Sequence, residues 1–94
     1  MIPCYNEEQR LDGGSFLSFV RRDSSTQLLF VDDGSTDGTA GLLEELRGQA
    51  AERVRILALE KNAGKAEAVR RGILAALEAG HSYVGFLDAD SPRW

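Results

Sequence analysis

Phe86-Leu87-Asp88-Ala89-Asp90-Ser91 ends an apolar run on two carboxylates one residue apart. Asp32 and Asp33 follow a second apolar run in the same way, ahead of Gly34-Ser35-Thr36-Asp37. Four carboxylates gathered in one cleft would repel, raising some of their pKa values unless a cation or hydrogen-bond donors compensate. Hard divalent ions such as Mg²⁺ or Mn²⁺ prefer oxygen ligands of this kind, and they hold phosphates with only one or two carboxylates. Two more polar clusters accompany the acidic ones: Pro3-Cys4-Tyr5-Asn6-Glu7-Glu8, and Glu60-Lys61-Asn62-Ala63-Gly64-Lys65. Lys65 follows a glycine at the start of a predicted helix, where backbone N–H groups and a cation can face an anion.

The elements that must position these clusters alternate regularly. Met1 to Pro3, Gln27 to Val31, Val54 to Leu59 and Tyr83 to Leu87 read as strands, the first a remnant too short to stand alone. The other three are rich in Val, Ile, Leu and Phe without strict alternation, as strands buried on both faces are. Between them, Ser15 to Arg22 carries Phe16, Leu17, Phe19 and Val20 after the breaker pair Gly13-Gly14. Thr39 to Gln49 spaces Leu42, Leu43 and Leu46 helically, with Thr36 or Asp37 as the expected N-cap. Lys65 to Ala79 sets Ala66, Val69, Ile73, Ala76 and Leu77 along one face before Gly80. The order β-α-β-α-β-α-β, with right-handed crossovers, predicts an α/β fold: an open parallel sheet with helices on both faces.

Ligands of such sheets bind beyond the carboxyl ends of the strands. All four polar clusters fall at those ends. The opposite edge carries only solvating turns: Arg22 to Ser25, Gln49 to Arg53 and Gly80 to Ser82. One acidic strand exit is commonplace, but four polar exits on one edge make a site. Metal, diphosphate and a donor-lined pocket together point to a nucleotide-diphosphate site.

Composition bounds the remaining classes. The 94 residues suit one small domain, and 43% hydrophobic with 28% charged residues is a globular balance. A formal charge of -4 with no basic stripe argues against nucleic acid as a partner. No apolar run approaches the roughly 20 residues that span a bilayer. Cys4 is the single cysteine, so no internal disulfide forms; a reducing, cytoplasmic compartment is expected.

The segments "IPCYNEE", "LLFVDDGSTDGT", "NAGKAEAVRRGILAA" and "YVGFLDAD", in that order, resemble the nucleotide-binding half of a family 2 glycosyltransferase with a GT-A fold. Within that family they are most similar to the branch that makes polyprenyl- or dolichyl-phosphate sugars. The resemblance implies a UDP- or GDP-linked sugar as ligand. It places Pro3, Tyr5, Asn6 and Glu7 along the nucleoside, with Asp33 or Asp32 on the base. The loop Asn62, Gly64 and Lys65 flanks the nucleotide, and Arg71 is expected too far along its helix to reach it. Asp88 and Asp90 match the family's DxD element, Asp88 serving the ribose and the metal, Asp90 the metal directly. Mg²⁺ or Mn²⁺ is the implied cofactor. A lipid phosphate is an implied acceptor, with the full-length protein at the cytoplasmic face of a membrane.

The chain also departs from the family pattern. It stops at Ser91-Pro92-Arg93-Trp94, where the family's catalytic base and acceptor-binding residues have yet to come, so no catalytic base is assigned. Residues 1–94 are therefore expected to be the nucleotide-sugar-binding portion of a larger domain that does not transfer sugar alone. A catalytically inert fold fragment is the main alternative. "FLDADS" also resembles the first motif of haloacid-dehalogenase-type phosphatases, but there the motif begins the domain rather than ending it. A phosphorelay receiver would need a later strand bearing a lysine.

Overall fold

The computed structural model describes residues 1–22 and 26–80. Three strands, β1 (Ile2–Cys4), β2 (Leu28–Asp32) and β3 (Val54–Ala58), alternate with α1 (Gly13–Arg22), α2 (Thr39–Gln49) and α3 (Lys65–Glu78). All pairings are parallel, in the order β1-β2-β3. The expected fourth strand, Tyr83 to Leu87, lies outside the described residues.

Strand periodicity sorts the side chains into two layers. Ile2, Cys4, Leu28, Phe30 and Val54 point to the side where Phe16, Leu17 and Val20 of α1 and Leu43 and Leu46 of α2 close the main core. Phe16 and Phe30 meet edge-to-face with centroids 5.2 Å apart, an arrangement worth about 1 kcal/mol beyond the area it buries. Met1, Val31, Leu29, Leu57 and Leu59 point to the other side, against Ala68 and Val69 of α3. Helices therefore cover both faces, as expected.

Several local expectations need correction. The amino-terminal remnant is a true strand, shifted one residue to Ile2–Cys4. It is held because each of its residues pairs with β2, Ile2 opposite Phe30 and Cys4 opposite Asp32. Helix α1 begins two residues early, at Gly13, because Asp12 caps it: its carboxylate accepts the Ser15 N–H at 3.1 Å and the Ser15 hydroxyl at 2.7 Å. Helix α2 has the predicted bounds, but Gly38 occupies its N-cap. Asp37 still accepts the Thr39 N–H, at 2.9 Å.

The packed face of α3 keeps Val69 and Ala76 of the expected one but turns away from Ala66, Ile73 and Leu77. Ala68, Gly72 and Ala76 are its buried residues. Ile73 and Leu77 are 37% and 52% exposed, together with Leu74. Small residues win this face because the helix lies close on the sheet. A Cβ on Gly72 would stand 2.7 Å from Met1 Cγ and 2.8 Å from Val31 Cγ2. The helix ends ahead of Gly80, as expected.

Candidate functional site

Parallel strands deliver three loops to one edge: residues 5–12 after β1, 33–38 after β2 and 59–64 after β3. Alternation along β2 decides what its two aspartates do. Asp32 shares the parity of Leu28 and Phe30 and points toward the α1–α2 layer, where its Oδ1 accepts the Ser35 N–H at 3.0 Å. It makes an Asx-type turn that starts the loop. Asp33 shares the parity of Leu29 and Val31 and turns to the α3 side. Both are buried, at 5% and 3% exposure.

A buried carboxylate needs donors. Asp33 finds them on the third loop: the Ala63 N–H reaches Oδ1 at 2.7 Å, and Asn62 Nδ2 reaches Oδ2 at 3.2 Å. The same Asn62 amide donates to the Asp33 carbonyl at 3.2 Å. Gly34, with φ +70°, permits this contact, since a Cβ there would sit 2.4 Å from the Asn62 nitrogen.

The first and second loops are also tied together. Asn6 adopts φ 51°, a left-handed conformation that asparagine tolerates better than most residues. From there its N–H donates to Ser35 Oγ at 3.0 Å, and its side-chain oxygen accepts the Thr36 N–H at 2.8 Å. The Glu7 N–H donates to Thr39 Oγ1 at 2.8 Å. Glu8 is tied to the second loop twice: its N–H donates to Asp37 Oδ2 at 3.3 Å, and its Oε1 accepts the Gly38 N–H at 2.8 Å. The Thr39 hydroxyl, donating to Asp37 at 2.5 Å, holds that carboxyl below the usual carboxylate range.

The loops enclose a cavity of about 380 Å³ on the α3 side, lined by Pro3, Cys4, Tyr5, Glu7, Arg10, Asp33, Asn62, Gly64, Lys65 and Ala68. That volume suits a small organic ligand. Seven residues predicted from sequence thus meet at one place: Pro3, Tyr5, Glu7, Asp33, Asn62, Gly64 and Lys65. Asn6 and Asp32 are not among the lining residues; their polar atoms hold the second loop. Asp88 and Asp90 lie outside the described residues. Arg71 bonds Glu67 at 2.8 Å and lines a separate groove between β3 and α3.

Three lining residues were not anticipated. Cys4 forms part of the wall with its thiol pushed up to about 12 by burial, with Glu7 and Asp32 adding to the shift, so it stays protonated at neutral pH. Ala68 leaves room because it is small. Arg10 stands three residues after Glu7 and pairs with it at 3.1 Å, a spacing that could have been noticed in the sequence. Among the described residues, no group of three or more His, Cys, Asp or Glu side chains is arranged to hold a metal. Asp32 and Asp33 are both engaged by loop donors. No helix among the described residues is long and apolar enough to cross a membrane.

The comparisons with known proteins agree with this geometry. The model of Glycosyl transferase family 2 matches residues 1–91. The chain is 38% identical over 99 residues to a dolichyl-phosphate beta-glucosyltransferase of Drosophila melanogaster, covering 96% of this chain and 29% of that protein. The corresponding enzyme of Dictyostelium discoideum is 35% identical with the same coverage. Among solved structures, S. aureus TarS in complex with UDP superposes with a TM-score of 0.70 at 27% identity, over 96% of this chain and 26% of that one. The chain thus spans under a third of the length of these relatives.

Proposed function

The chain belongs to glycosyl transferase family 2, and from that membership we propose that its cavity receives the nucleoside end of a nucleotide-diphosphate sugar. The observation that carries this reading is the meeting of the three loops around one cavity at the carboxyl edge of the sheet. UDP in the complex of the TarS relative supports it. Pro3, Tyr5 and Glu7 form the nucleoside wall, Asp33 the polar group nearest the base, and Asn62, Gly64 and Lys65 the nucleotide-flanking wall. Asn6 and Asp32 act by holding the loops that carry the others.

Asp90, with Asp88, is the proposed seat of Mg²⁺ or Mn²⁺, since the carboxylates of Asp32 and Asp33 are already engaged by backbone and amide donors. Once bound, the ion would supply Lewis-acid stabilisation of the departing diphosphate. This chain's own part is to orient the nucleoside and keep water from one side of it. The longer protein is proposed to transfer the sugar to an acceptor. A lipid phosphate is the acceptor class favoured by the two dolichyl-phosphate glucosyltransferase relatives.

Amide NMR of the chain titrated with UDP or GDP, without and with Mg²⁺, tests the reading. Shifts are expected at Asp33, Asn62, Gly64 and Lys65, with a metal-dependent increment that Asp90→Ala removes without disturbing the fold. A titration that leaves the cavity amides unmoved would sink nucleotide binding. Unchanged metal dependence in Asp90→Ala would sink the metal assignment.

A further inference from the structure

Four charged side chains line the cavity: Glu7, Arg10, Asp33 and Lys65. The two carboxylates already have donors. Asp33 takes the Ala63 N–H and the Asn62 amide, and Glu7 Oε1 takes Arg10 Nη2 at 3.1 Å. Arg10 differs from them. Its side chain makes one hydrogen bond among the described residues, to Glu7, and is 62% exposed. A guanidinium carries five N–H donors in a planar fork, so the donors not used on Glu7 remain for an anion.

Its position is also fixed. The Arg10 N–H donates to the Glu7 carbonyl at 3.0 Å and the Leu11 N–H to the same carbonyl at 2.8 Å, closing a turn that stacks Arg10 over Glu7. Glu7 therefore orients the arginine through both its backbone and its side chain, and Glu7 is itself anchored to Thr39. We propose that Arg10 is a phosphate-contacting residue of this cavity, with Glu7 as its positioning residue. The inference rests on the nucleotide reading above and adds to it a cation from the first loop, besides Lys65 on the third. A planar fork suits two oxygens of one phosphate better than it suits a neutral nucleoside.

The test is calorimetric titration of the chain with uridine, UMP and UDP, for wild type, Arg10→Met, Arg10→Lys and Glu7→Gln. For Arg10→Met, UDP affinity is expected to fall roughly ten-fold, the size of a charge-assisted contact, while uridine affinity holds. Arg10→Lys should recover part of the loss, and Glu7→Gln should weaken UDP less than Arg10→Met does. Equal losses for uridine and UDP would mean that Arg10 only supports the loop, overturning the proposal. So would an Arg10→Met protein that binds UDP like wild type. Wild type that binds none of the three overturns the nucleotide reading itself, which separates the two failures. Circular dichroism of Arg10→Met should match wild type, because the side chain is largely in solvent.

Discussion

Gly34→Ala probes whether the second and third loops truly rest on each other. Gly34 has φ +70°, and a new Cβ would stand 2.4 Å from the Asn62 nitrogen and 2.6 Å from the Lys61 carbonyl carbon. A left-handed conformation costs an L-residue roughly 1–2 kcal/mol. Relieving a backbone clash costs about 1–3 kcal/mol more, because a backbone cannot swing aside as a side-chain tip can. The sum, roughly 2–5 kcal/mol, is a large share of the ~5–14 kcal/mol expected for a domain of this size. Gly64→Ala isolates a conformational cost without a clash: its φ of 92° and ψ of 154° fall in a region essentially reserved for glycine, but nothing lies within 4 Å of the added carbon. It should cost only that conformational part, about 1–3 kcal/mol. Urea denaturation followed by circular dichroism measures both. If Gly34→Ala loses no more than the roughly 1–2 kcal/mol of the conformational cost alone, the loop-on-loop contact carries no energy and the description of the site's third wall is wrong.

Other outcomes follow from the same structure. Burial raises the Cys4 thiol from its ordinary value of 9.0 to about 12. Below pH 9 both folded and unfolded thiols are protonated and the residue is neutral for stability. Above it the unfolded thiol ionises first, so stability falls by up to about 1.4 kcal/mol per pH unit until about pH 12. Denaturation of wild type and Cys4→Ala at pH 8 and pH 10.5 should show the steeper loss in wild type; parallel slopes would count against burial of the thiol. Gly48 sits in α2 with nothing within 4 Å of an added Cβ, so Gly48→Ala should stabilise the chain by about 0.5–1 kcal/mol. Thermal melting should register this as a rise of a few degrees, and a fall would mean that the position is not open helix surface.

How much of this was legible in the sequence depended on which physical signal was being read. The bounds of α2 were plain because Leu42, Leu43 and Leu46 repeat at helical spacing between polar termini. The face of α3 was legible at Val69 and Ala76 but not at Ala68 and Gly72, because hydrophobicity marks large residues whereas the contact with the sheet selects small ones. Ala68 and Gly72 are quiet in a hydropathy pattern, yet they are the residues that let the helix approach Met1 and Val31. The convergence of polar loops followed from parallel topology alone. The division of labour between Asp32 and Asp33 did not, since it depends on the register that places β2 between two different layers. The spacing of Glu7 and Arg10 is visible in the sequence, but their pairing also needs the turn closed by the Arg10 and Leu11 N–H groups on the Glu7 carbonyl, which a run of polar residues does not announce.

The bonds that Asn6, Glu7 and Glu8 make to Ser35, Thr36, Thr39, Asp37 and Gly38 form when the chain folds, before any ligand arrives. An incoming molecule then meets a rim whose conformational freedom has already been surrendered, and association at that rim need not bear the ordering entropy again. Loosening any one of these ties should therefore appear first as weaker binding, well before it appears as a change in what the cavity recognises.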